Sequence, residues 1–187
     1  MVDDLKKACE VLRKGGVILY PTDTIWGIGF DATREVAVKR VYEIKQHSDS
    51  KSMLMLLGSP DILYRYVNDL PEITYELIEY SDKPLTIVYS GAKNVTQNLI
   101  APDGIIGIRI TKETFSQKLC RQFGKPVVST SANFSNEPAP SNFSEINSEI
   151  FRLVDYMVKY RSDETQKSKP SSIIRLEKNG VIKIIRE

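Results

Sequence analysis

Ser172-Ile173-Ile174-Arg175-Leu176 and Val181-Ile182-Lys183-Ile184-Ile185, joined across Asn179-Gly180, form the stretch that decides the fold class. Two runs rich in isoleucine flank a dipeptide suited to a tight turn between antiparallel strands. Upstream the chain reads differently. Strand-like runs (Val17–Tyr20, Met53–Leu57, Leu85–Tyr89, Ile105–Ile110, Pro126–Ser129) alternate with helical periods. Asp3-Asp4 is expected to cap a helix burying Leu5, Ala8, Cys9 and Leu12, with Gly15-Gly16 as its stop. Thr33 should cap a second helix burying Val36, Val38, Val41, Tyr42 and Ile44. Pro71 should open a third, with Ile73, Leu77 and Ile78 inward, and Thr111 should cap a fourth, through Phe115, Leu119 and Phe123 to Gly124. An α/β chain that closes on a hairpin predicts a twisted open mixed sheet with flanking helices, not a purely parallel one. The polar stretches from Thr130 to Ser148 and from Arg161 to Ser172 are expected to be irregular, the second a mobile loop.

At 187 residues the chain is expected to form one domain, residues 1–187. Its 26 Lys and Arg against 24 Asp and Glu leave +2, which favours no class of partner. Two cysteines exclude a disulfide scaffold and a four-cysteine zinc site, and one histidine excludes any site that needs two. No run is apolar enough for a membrane span, and Met1-Val2-Asp3-Asp4 carries the wrong charge to open a signal peptide. A cytoplasmic protein with no membrane partner is the expectation.

No phosphate loop and no complete dinucleotide fingerprint is present; Gly27-Ile28-Gly29 is only a fragment of one. What recurs is hydroxyl and cationic residues where strands end. Tyr20-Pro21-Thr22-Asp23-Thr24 follows one strand and Ser129-Thr130-Ser131-Ala132-Asn133 another. Arg109 is the lone charge in an apolar strand, and Lys45, His47 and Lys51 follow the second helix. Each has a plain structural reading: a turn, a polar loop, an ion pair with a carboxylate at the core's edge, cations answering a helix dipole. Trp26 reads as a core side chain. Taken together they suit a pocket that binds a polyanion and stabilises charge during phosphoryl or nucleotidyl transfer.

The chain resembles the YrdC/YciO-like family of threonylcarbamoyl-AMP synthases. The resemblance lies in Gly15 to Gly29, Ile44-Lys45 with Lys51, Lys83-Pro84-Leu85-Thr86-Ile87-Val88, Gly107-Ile108-Arg109-Ile110, Pro126 to Asn133, and Pro170-Ser171-Ser172-Ile173-Ile174. It implies condensation of L-threonine, bicarbonate and ATP into threonylcarbamoyl-adenylate with release of pyrophosphate. A separate tRNA threonylcarbamoyl transferase complex would then use the product. It further implies ATP as substrate, no organic cofactor and no metal held by the protein, with Mg2+ beside ATP left open. Thr24, Arg109 and Ser129 would hold threonine, Arg109 gripping its carboxylate, with Ser171 or Ser172 closing on it. Lys45 and Lys51 would serve catalysis; with His47, Ser131, Asn133 and Arg186 they would face ATP.

Where the family reads Lys-x-Arg and then Lys-Pro-Leu, this chain has Lys45-Gln46-His47 and Lys51-Ser52-Met53. Its final hairpin is one residue longer than the family's. The alternative is therefore a nucleotide- or RNA-binding YciO-like paralogue with little synthase activity. Binding of tRNA or double-stranded RNA is a secondary expectation. It rests on eight basic against four acidic residues from Lys159 to Glu187. Longer relatives carry a C-terminal domain, for which Glu187 is expected to come too early.

Overall fold

The computed structural model describes residues 1–45 and 53–187, so the candidates His47 and Lys51 lie outside the described residues. In chain order the elements are α1 (Val2–Arg13), β1 (Ile18–Tyr20), β2 (Gly27–Asp31), α2 (Glu35–Lys45), β3 (Leu54–Leu57), α3 (Ile73–Glu79) and β4 (Leu85–Ser90). There follow β5 (Ile105–Ile110), α4 (Thr114–Phe123), β6 (Val127–Ser131), α5 (Ser148–Leu153), β7 (Tyr156–Met157), β8 (Ser172–Leu176) and β9 (Ile182–Arg186). Among the described residues nine strands form one sheet, ordered β7-β1-β2-β6-β3-β5-β4-β8-β9. The pairs β1–β7, β3–β5 and β4–β8 are parallel and the rest antiparallel, which is the mixed sheet that the closing hairpin predicts. No described helix is long and apolar enough to cross a membrane.

Side-chain alternation along the strands assigns the two faces. Ile28, Met55, Ile87, Ile108, Val128 and Ile174 point to one face and join Val38 and Val41 of α2 in the larger core. On the opposite face Ile18, Tyr20, Leu56 and Val127 meet Leu5 and Leu12 of α1 and Phe115 and Leu119 of α4. Those two helices cover only part of that face.

Local chemistry explains where the helices differ from expectation. Asp3 and Asp4 lie inside the first turn of α1 and cap nothing. Asp4 is buried and accepts from the Tyr156 hydroxyl at 2.6 Å and the Lys159 amide at 3.1 Å, tying α1 to the strand beside it. Val36 is 79% exposed, and Ala37 takes its place in the core. At 100° per residue Val36 falls about 140° from the centre of the Ala37-Val38-Val41-Ile44 stripe. Glu113, not Thr111, caps α4, its carboxylate accepting from the amides of Phe115 and Ser116. Gly124 ends that helix in the left-handed conformation, φ 77°. Segment 161–172 is irregular but anchored. Arg161 donates to the Thr22 carbonyl, Asn142 to that of Thr165, and the Ser168 amide to that of Ser141.

Candidate functional site

The uncovered part of the sheet face floors a cavity of ≈ 380 Å³, within the range of small-molecule sites. Strand alternation brings Gly27, Leu54, Thr86, Gly107, Arg109 and Ser129 to this floor. The glycines make it deep. A Cβ on Gly27 would stand 2.6 Å from Ser129 Oγ. Gly27-Ile28-Gly29 is thus part of β2, Gly27 lying in the cavity floor and Gly29 making room for the Tyr20 ring.

At one corner stands Arg109, 3% exposed. Its Nη2 donates to Thr24 Oγ1 at 3.2 Å, and its Nε lies 3.1 Å from Asp23 Oδ1. The Nε–Oδ1 approach is close but out of line, so neither atom completes a hydrogen bond. Burial pushes the Asp23 carboxyl above the usual carboxylate range, with the Arg109 charge opposing the shift. The Thr22–Thr24 turn is stitched internally: Thr22 Oγ1 donates to the Ile25 carbonyl at 2.8 Å and accepts from the Thr24 amide at 3.1 Å.

Lys45 stands at a second corner. The last residue of α2, it is 3% exposed. Its ammonium donates to the Ser131 carbonyl at 2.8 Å, Ser131 Oγ at 3.3 Å and Asn133 Oδ1 at 3.1 Å. These acceptors are neutral, so burial prevails and lowers the Lys45 pKa to about 8, with Glu137 pulling the other way.

The third side is the end of the 161–172 segment. Ser171 Oγ shares a hydrogen bond of 2.8 Å with Thr86 Oγ1, and the Ser171 carbonyl accepts from Arg186 Nε at 3.0 Å and Nη2 at 2.8 Å. Arg186 reaches the cavity by a bulge. Ile174 pairs with Ile184, yet the next residue back, Ile173, pairs with Arg186, leaving Ile185 as the extra residue. In an unbroken ladder Arg186 would share the core face with Ile184; the bulge switches it to the cavity face.

Thr24, Arg109, Ser129, Ser131, Ser171 and Arg186 therefore line one cavity, with Lys45 and Asn133 attached to it through Ser131. Ser172 is not in the lining: it opens β8, its amide donating to the Pro84 carbonyl, so of the two serines it is Ser171 that faces the cavity. Trp26 is 6% exposed and packs on Phe143 with ring centroids 4.8 Å apart, yet also borders the cavity. Sequence reasoning overlooked Thr22, Thr86 and Asp23 as individual residues. Thr86 carried a signal, a hydroxyl alternating with apolar residues in a strand; the pairing of Thr86 with Arg109 across β4 and β5 did not.

Comparison with known proteins places these features in context. Residues 10–187 match the family Sua5_yciO_yrdC, described as "Telomere recombination". The curated threonylcarbamoyl-AMP synthase of Pseudoalteromonas translucida (strain TAC 125) is 32% identical over 154 residues, 81% of this chain and 82% of that protein. The crystal structure of E. coli YciO matches with TM-score 0.85 and 25% identity over 100% of this chain and 90% of its own. P. abyssi Sua5 complexed with L-threonine matches in fold, with TM-score 0.81 and 22% identity. That match covers 92% of this chain and 50% of the Sua5 chain.

Proposed function

Because this chain belongs to the Sua5/YciO/YrdC family, we propose that it is a nucleotidyltransferase joining L-threonine, bicarbonate and ATP into threonylcarbamoyl-adenylate, with release of pyrophosphate. The observation that carries this reading is one cavity edged by two guanidinium groups, Arg109 and Arg186, and a ring of hydroxyls, with the buried ammonium of Lys45 bonded to the Ser131 that lines it. Residues 1–187 are taken as one YrdC-like domain, which the continuous sheet supports.

Threonine's carboxylate is assigned to Arg109, whose fork suits a planar anion, with Thr24, Ser129 and Ser171 around it. Lys45, Ser131, Asn133 and Arg186 are assigned to the nucleotide. His47 and Lys51 are assigned to the phosphates from their place in the sequence. In the reaction, threonine's amine adds to bicarbonate with loss of water to give a carbamate. A carbamate oxygen then bonds to the α-phosphorus of ATP as the bond from that phosphorus to the bridging oxygen breaks, and pyrophosphate leaves with the electrons. The protein holds two anions within reach and offsets the charge that builds on the leaving group. Among the described residues no group of three or more His, Cys, Asp or Glu gathers to hold a metal. Any Mg2+ is assigned, with ATP, to the phosphates.

The product is assigned onward to a tRNA threonylcarbamoyl transferase complex. Direct RNA binding ranks second because five of the eight basic residues of the C-terminal segment already have acidic partners. Arg161, Lys167, Arg175, Lys178 and Lys183 each pair with a carboxylate.

Incubation with ATP, labelled bicarbonate and L-threonine tests the assignment. Labelled AMP-linked product and pyrophosphate are expected only when all three are present. ATP binding without product would favour the paralogue reading.

A further inference from the structure

We propose that Asp23 is the positioning residue for Arg109, its carboxylate holding the Nε side of the guanidinium so that the terminal nitrogens face the cavity. The inference rests on the reading that Arg109 grips the threonine carboxylate. The two side chains come from distant parts of the chain, Asp23 from the turn after β1 and Arg109 from β5. They meet with Oδ1 3.1 Å from Nε at 10% and 3% side-chain exposure. The next residue of the same turn, Thr24, takes an Nη2 hydrogen at 3.2 Å. One turn thus holds the guanidinium at two points.

Arg109 lines the cavity and Asp23 does not. Asp23 borders a separate hollow of ≈ 280 Å³, whose rim includes Asp82, Lys83, Lys112 and Glu113. A ligand in the cavity therefore feels Asp23 only through Arg109. With one Nη2 hydrogen given to Thr24 and the Nε edge turned toward Asp23, the remaining terminal N–H groups form an end-on fork for a carboxylate. The attraction between Oδ1 and Nε is charge on charge, strengthened by the scarcity of water around both.

The carboxyl of Asp23 is driven up by burial and by Glu113, and drawn down by Arg109 and by the amides of Lys112 and of Asp23 itself. Arg109 in turn faces Asp23, Tyr20 and Arg186. Acidification therefore removes the anchor at a pH above that of an ordinary carboxylate.

Calorimetric titration with L-threonine tests this in wild type, Asp23→Asn, Arg109→Lys and the double variant. Asp23→Asn is expected to weaken threonine about tenfold, but by less than about twofold in the Arg109→Lys background, since it acts through that residue. Asp23→Glu, which keeps the charge, should recover most of the loss. Wild-type affinity should fall on acidification and the Asp23→Asn profile should lack that step. Wild-type affinity in Asp23→Asn, or losses that multiply in the double variant, would overturn the proposal. Unchanged threonine affinity in Arg109→Lys would instead overturn the carboxylate reading beneath it. Should Asp23→Asn fail to fold, the wild-type profile decides: affinity that stays flat on acidification through the ordinary carboxylate range counts against Asp23.

Discussion

The Arg109 and Lys45 corners of the cavity bury the same charge by different means. Arg109 faces a carboxylate, Asp23, and a hydroxyl, so its charge has a counter-charge within the fold. Among the described residues the Lys45 ammonium bonds to carbonyl, hydroxyl and amide oxygens, with Glu137 too weak an influence to offset burial, and its charge is correspondingly easy to lose. The contrast fits two tasks. A permanently charged fork recognises a small carboxylate, whereas a neutral cradle leaves the ammonium's charge for phosphates that bring their own.

Removing the guanidinium should separate the corners most sharply. Arg109→Ala leaves the Asp23 carboxyl buried without its partner and should cost ~3 kcal/mol or more of stability, read by denaturant unfolding. The milder Arg109→Lys should keep the fold and weaken threonine by ~1–3 kcal/mol while sparing ATP, read by calorimetry.

The Lys45 corner should respond to pH instead. Its pKa is about 8 in the fold against an ordinary 10.5, so between those values the folded protein has released a proton that the unfolded chain retains. Stability of wild type relative to Lys45→Met should therefore rise as pH climbs through that window, by an amount on the order of 2 kcal/mol, and stay level below it. ATP affinity should move the opposite way, declining above about pH 8 as the charge is lost, and Lys45→Arg should flatten that decline. Parallel unfolding curves for wild type and Lys45→Met throughout would show that Lys45 titrates as an ordinary lysine.

A smaller effect probes the floor beneath the Arg109 corner. In Gly27→Ala the new methyl would stand 2.6 Å from Ser129 Oγ. The serine must turn aside, and threonine affinity should drop by ~1 kcal/mol with ATP binding kept. The smallest effect belongs to Ile185. Its deletion removes the bulge yet leaves Arg186 opposite Ile173, so binding should stay within about twofold and unfolding should shift by less than ~0.5 kcal/mol.

How far the sequence could be read follows the same physics. Strands with a full apolar face, such as Leu85–Ser90 and Ile105–Ile110, declared themselves, and the Asn179-Gly180 turn foretold the antiparallel end of the sheet. β2 did not, because glycines at positions 27 and 29 remove the side chains whose alternation would have marked it. β7, two residues long, leaves too short a pattern to read. Within the site, Arg109 stood out as a charge in an apolar strand, whereas Thr24, Ser129 and Ser131 were picked out by the family resemblance, a turn and a polar loop explaining them equally well. The partner of Arg109 was hidden, since Asp23 lies in a turn whose composition is explained by the turn alone. Nothing in the order of residues chooses between Ser171 and Ser172; the register of β8 against β4 makes that choice.

The most direct test of the two-corner account is a crystal structure of the protein with L-threonine and a non-hydrolysable ATP analogue. The account predicts the threonine carboxylate on the terminal nitrogens of Arg109, with Asp23 still behind Nε, and the phosphates on the Lys45–Ser131 side. A triphosphate seated on Arg109, or threonine bound away from it, would contradict the division of the cavity proposed here.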